Sequence, residues 1–138
     1  MSRLPLILSA VILAVVPALS QSQPAPKPGP YAAIPADAAK QPNPVKSSPD
    51  SIERAQKWWA MDCAMCHGKD GEGKGPLATD MKLKLNSLTD PNTLKDRTDG
   101  EIFYVIKNGY QDMPPEGDRV KPEQNWDLVN YVRSLAKH

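Results

Sequence analysis

The stretch Cys63-Ala64-Met65-Cys66-His67 decides the reading of this chain, because it contains both cysteines and one of the two histidines. Two thiols three positions apart on a helical turn can each form a thioether to a haem vinyl group, and the next residue then carries its imidazole under the iron. The CxxCH arrangement therefore reads as a c-type haem attachment site. A zinc site would need further Cys or His ligands, and the only other histidine is the C-terminal His138. A thioredoxin-like redox pair would need a βαβ context, and no such pattern is present. A disulfide between Cys63 and Cys66 would leave His67 and the pattern downstream without purpose.

If His67 supplies the fifth ligand of an iron, the sixth has to come from elsewhere in the chain. Met61 and Met65 lie on the attachment helix itself and cannot fold over to the opposite haem face. Met81 comes 14 residues after His67, across a Gly-rich region that must first wrap the edge of the ring. Met113 comes after a predicted helix, 46 residues beyond His67, in Gln111-Asp112-Met113-Pro114-Pro115. That loop is long enough to cross to the distal side, and two prolines stiffen the chain behind the sulfur. Met113 is the expected sixth ligand, against the plainer reading of a methionine that fills core space.

Working outward, the first residues have the marks of export. Arg3 is followed by an apolar run from Leu4 to Val16, and Ala18-Leu19-Ser20 offers small residues before Gln21. Residues 1–20 are expected to be a cleavable signal peptide rather than an anchor, since Leu4 to Leu19 contains Pro5 and Pro17 and is shorter than the roughly 20 residues of a span. Membrane contact is expected only if this signal is uncleaved. Residues 21–49 are dominated by Pro, Ala and Lys without apolar periodicity, and read as a disordered or polyproline-like spacer. Eight of the 15 prolines lie between Pro24 and Pro49. That leaves residues 50–138 for one small domain.

Within that domain Ser48-Pro49, and Asp50 with Glu53, are overlapping helix-start signals. Ile52, Ala55, Trp59, Cys63 and Cys66 then form one helical stripe, which predicts a buried Trp59 and an unburied Trp58. Gly68 to Pro76 reads as an irregular loop, and a short helix is expected after Asp90-Pro91. Thr98 with Glu101 is a capping-box pattern opening a helix with Ile102, Phe103 and Ile106 on one face and Gly109 as its stop. Pro122 opens a last helix expected to reach about Lys137, with Leu128, Tyr131, Val132 and Leu135 as its buried stripe. No alternating strand is present, so the fold class is all-α. With one Phe, four Tyr and three Trp the core would be thin by itself, and a covalently held macrocycle supplies the missing apolar mass.

From about Ser51 to Leu135 these residues resemble the class I monohaem c-type cytochromes. The likeness rests on Cys63-Ala64-Met65-Cys66-His67-Gly68, on the Asp112-Met113-Pro114 loop and on Trp126-Asp127-Leu128-Val129-Asn130-Tyr131 of the last helix. It implies a small cytochrome c fold of four or so helices wrapped around one covalent haem c, with Ala55 and Trp59 crossing Leu128 and Tyr131. It also implies that Pro76, in Gly75-Pro76-Leu77, offers the backbone carbonyl that accepts the proximal histidine's hydrogen bond, fixing the ring. The function implied by the resemblance is that of a periplasmic one-electron carrier with His67 and Met113 on the iron, shuttling electrons between respiratory or dehydrogenase complexes. With both axial positions filled there is no open site, so the protein is not expected to be an enzyme itself. The competing readings are a haem enzyme or gas-binding module with an open or labile sixth position, and a cytochrome subunit of a larger oxidoreductase complex.

The partners are then redox proteins. A formal net charge of +1 gives no support to nucleic-acid binding. From Asp99 to Asp127 seven acidic residues stand against Lys107, Arg119 and Lys121, a local net of −4. An acidic rim of this kind predicts a partner with a basic docking face.

Overall fold

The computed structural model describes residues 34–117 and 119–136; the expected signal peptide lies outside them. Six α-helices make up the described fold: α1 (Ala36–Ala39), α2 (Pro49–Trp58), α3 (Ala64–His67), α4 (Pro76–Asp80), α5 (Asp99–Asn108) and α6 (Pro122–Ser134). Among the described residues no strand forms, and none of these helices is long and apolar enough to cross a membrane.

Ser48 starts α2, its hydroxyl accepting the Ser51 N–H at 3.2 Å while Pro49 takes the first helical position. The helix runs on without interruption through a five-residue π-helical turn, Trp59–Cys63, into α3. α6 crosses α2 where Ala55 and Leu128 meet in the core, at 0% and 1% exposure. One turn on, Trp59 and Tyr131 pack edge to face with ring centroids 5.3 Å apart. On the exposed flank of the crossing, the Arg54 guanidinium donates two bonds of 2.8 Å to the buried Asp127 carboxylate, a bidentate tie between the two helices. α5 lies against α6 through Phe103 stacked on Trp126, centroids 4.1 Å apart. Its start carries the full capping box, Thr98 Oγ1 accepting from Glu101 N and Glu101 Oε2 from Thr98 N.

Three local expectations need correction. No helix forms after Asp90-Pro91: the Asp90 side chain accepts the Asn92 N–H at 2.8 Å, its carbonyl accepts Thr93 N–H, and Leu94 closes a further turn with Arg97. Side-chain capture of local backbone donors thus keeps this segment in successive turns. The loop after Gly68 instead ends in a helix, α4, because Pro76 is already set for a first helical position. α6 stops at Ser134, short of Lys137, where the Ser134 hydroxyl donates to Tyr131 O at 2.6 Å and the Leu135 N–H is shared between two carbonyls. Trp59 is buried and Trp58 is not, as the stripe predicts, although Trp58 is half-buried against the edge of the core.

Residues 34–48, expected within the spacer, are a strap laid on the domain. α1 reaches α5 at Gly100, where a Cβ would overlap the Ala38 carbonyl oxygen. Further on, the buried Asn130 of α6 accepts from Asn43 Nδ2 at 2.8 Å and donates to Val45 O at 3.1 Å and Ser51 Oγ at 3.0 Å. One amide therefore joins the strap, α2 and α6. Asn130→Ala is expected to lower stability by about 1–3 kcal/mol, the cost of stranding buried polar partners. The strap should loosen first, seen as faster amide exchange and proteolysis over residues 34–47 than in the unaltered protein.

Candidate haem-attachment site

α3 ends in the CxxCH motif, and the two thiols leave it as free cysteines, both half-buried. Burial, reinforced by the carboxylates of Glu116 and Asp62, pushes the Cys63 thiol up to about 12. It stays protonated at neutral pH, and since the thiolate is the species that attacks a disulfide, Cys63 is poorly suited to thiol exchange.

His67 closes α3, and the chain turns away at Gly68, whose φ of 81° suits glycine. The next loop folds back onto the motif: Gly73 N–H donates to His67 O at 2.7 Å and Gly75 N–H to Cys66 O at 3.0 Å. Gly75 passes so close that a Cβ would overlap the Met65 carbonyl oxygen. Trp59 secures the far end of the turn, its indole N–H shared between Gly68 O at 3.2 Å and Lys69 O at 3.0 Å. The same indole lies 5.7 Å from the His67 ring, centroid to centroid.

Burial holds the His67 imidazole below its usual pKa, so the ring is neutral at physiological pH. Its Nδ1 is buried and has no hydrogen-bond partner. The hydrogen bond expected from His67 to the Pro76 carbonyl is thus not made in this structure, although Pro76 stands at the start of α4, directly beside α3. Buried ring nitrogens are ordinarily partnered. A neutral imidazole with an unclaimed nitrogen, placed one residue after an unpaired thiol and four after another, is a donor set that fits a covalently attached haem.

Met113 lies beyond α5. Gly109 ends the helix at φ 77°, and a Cβ there would come within 2.6 Å of Met113 O. Tyr110 and Met113 then exchange two backbone hydrogen bonds of 2.9 Å across a tight turn in which Gln111 takes φ 52°. The chain returns over the end of α5, where Glu116 N–H and Gly117 N–H satisfy the carbonyls of Ile106 and Lys107. Met113 is half-buried against the core cluster that Cys63 also packs on. Met61, Met65 and Met81 are by contrast exposed, at 57%, 49% and 54%.

The charges of this region are arranged in ways that the linear sequence conceals. Asp62, in the π-helical turn, and Glu116, in the Met113 loop, both accept from Arg119, at 2.8 and 3.0 Å. Asp99 pairs with Arg133, Glu101 with Arg97 and Asp127 with Arg54. Arginines from outside the window 99–127 therefore offset much of its acidity. The sequence reading missed these pairings because nothing in a linear count shows which arginine folds back to which acid.

A family model described as cytochrome c matches residues 52–136. The chain is 30% identical over 86 residues to cytochrome c6 of Pyropia tenera, covering 62% of this chain and 94% of that protein. It is equally similar to cytochrome c6 of Pyropia yezoensis, covering 73% of that protein. Among solved structures, it is similar to the c-type cytochrome KustC0563, with 26% identity and a TM-score of 0.53 over 60% of this chain and 98% of that one. A chain of the Kuenenia stuttgartiensis reducing HAO-like protein complex shares the fold at 22% identity and a TM-score of 0.60, over 68% of this chain. This chain spans 47% of that one.

Proposed function

Since the chain belongs to the cytochrome c family, we propose that it is an exported, periplasmic one-electron carrier whose iron is held between His67 and Met113. Electron transfer by a covalent haem c is the work of the family, and Cys63 and Cys66 fit the two thioether positions. When bound, the haem supplies an iron that takes up and returns one electron. The chain's own part is to hold and tune it. His67 would offer a neutral ring nitrogen to the iron, and its other nitrogen would still need an acceptor, which the Pro76 carbonyl does not provide in this structure. The Met113 thioether, a neutral soft donor, favours the reduced iron and raises the potential.

The observation that supports the sixth ligand is the built turn at Met113. Two backbone bonds, a left-handed Gln111 and the close pass at Gly109 hold this one methionine half-buried, while Met61, Met65 and Met81 are exposed to solvent. Strain of this sort is retained where a residue's position matters. Redox proteins are the partners in this reading, and among the described residues of the window Asp112 and Glu123, both exposed, are the acids left to meet a basic docking face.

Purified from a host with c-type maturation, the protein is expected to show covalent, low-spin haem whose reduced spectrum is unchanged by CO. Ready CO binding would replace this reading with an open-site enzyme or gas-binding module. Absence of covalent haem would remove it.

A further inference from the structure

The loop that carries Met113 has two kinds of anchor. Toward α5 it is held by backbone: the Tyr110–Met113 pair, Glu116 N–H on Ile106 O and Gly117 N–H on Lys107 O. Toward the attachment helix it is held by charge. Arg119 Nη2 donates to Asp62 Oδ1 at 2.8 Å and to Glu116 Oε2 at 3.0 Å, and the Arg119 backbone N–H donates to Glu116 O at 3.1 Å. Asp62 immediately precedes Cys63, and Glu116 lies three residues after Met113.

The burial of these groups shows why the arginine matters. The Glu116 side chain is 11% exposed and that of Asp62 23%, whereas Arg119 lies outside them at 62%. Two carboxylates drawn out of water at one joint repel each other unless a cation stands between them. Arg119 is that cation, and its planar guanidinium fixes a direction as well as a charge. Without it, the segment holding Met113 and the turn holding Cys63 would be pushed apart at their point of contact.

We propose that Arg119 is a positioning residue for Met113, setting the distance between the Met113 loop and the haem-attachment turn by bridging Glu116 to Asp62. This rests on the reading of Met113 as the axial ligand. Its consequence is kinetic and thermodynamic control over how readily the thioether leaves the iron.

The test is a spectroscopic titration of the ferric holoprotein with imidazole, which competes for the sixth position. Arg119→Gln is expected to raise apparent imidazole affinity about fivefold, the scale of a partly exposed ion pair. Asp62→Asn, which removes the same bridge from the other side, should act in the same direction, and the two together should give less than the product of their separate effects. Arg119→Lys should recover part of the loss by restoring the charge. An Arg119→Gln protein with unaltered imidazole affinity, beside a Met113→Ala protein with greatly increased affinity, would overturn the positioning role and leave the ligand reading standing. An unaltered titration in Met113→Ala would remove the ligand reading, and this inference with it. Should Arg119→Gln fail to accumulate, Asp62→Asn decides in the same assay.

Discussion

Truncating Leu128 to alanine is expected to destabilise the holoprotein by about 2–5 kcal/mol, the range for removing a leucine from a core that cannot collapse around the gap. Leu128 is 1% exposed, and it sits where α6 crosses α2 beside Ala55, which is wholly buried. The neighbours leave little room to close the cavity. Trp59 and Tyr131 are fixed edge to face on one side, and the Arg54–Asp127 tie holds the helices at their present separation. A domain of this size is ordinarily stable by about 5–15 kcal/mol, so the loss is a large part of the total. Thermal unfolding followed by circular dichroism should show the midpoint falling by roughly 10–20 °C. A fall of only a few degrees would mean that the crossing repacks and that the haem, rather than this contact, holds the two helices together.

Replacing Met113 by alanine should have the largest effect on chemistry and a small one on folding. The residue is half-buried, and its backbone bonds to Tyr110 do not depend on the side chain. Haem attachment, which needs Cys63, Cys66 and His67, should proceed. The reduced protein should then bind CO, and the reduction potential should fall, because a soft donor to the ferrous iron has gone. Voltammetry and CO difference spectra on the same preparation check both points. An unchanged potential together with refusal of CO would exclude Met113 as the ligand.

Much of the fold was legible because the sequence states it in local terms. Thr98 and Glu101 name the start of α5 and Gly109 its end, and Ser48-Pro49 names the start of α2; in each case the residues that write the signal are those that make the bond. Spacing alone put Ala55 and Trp59 on one buried stripe and Leu128 and Tyr131 on another, while the crossing of the two helices at these residues came from the resemblance. The features that were not legible are those settled by partners distant in sequence. Residues 34–48 look like spacer by composition, yet Asn130, more than 80 residues away, ties Asn43 and Val45 of this segment to α6. One feature misleads for a local reason instead: Asp90-Pro91 looks like a helix start, but the Asp90 carboxylate accepts the Asn92 N–H two residues on and holds the segment in turns. At the site, the thiols and the imidazole were evident from the motif, and Met113 is proposed from its distance beyond His67 and the prolines behind it. The bridge of Arg119 between Asp62 and Glu116 was not, because it joins two segments that only the fold brings together.

The π-helical turn Trp59–Cys63 has a consequence for how this chain can vary. A π-turn amounts to one residue inserted into an α-helix. Everything after it is rotated by about 100° relative to an uninterrupted helix. Ile52 and Ala55 face α6 on one side of that insertion, and the two thiols and the imidazole take their bearing on the other. Were the turn to straighten with all five of its residues kept, the thiols and the imidazole would swing by that angle away from their present bearing, whereas loss of a single residue between Trp59 and Cys63 would let the helix revert to uniform α geometry with that bearing kept. Related sequences that keep the motif can therefore be one residue shorter here, with a plain α-helix in place of the π-turn, but a further inserted residue must be answered by a second change that restores the phase.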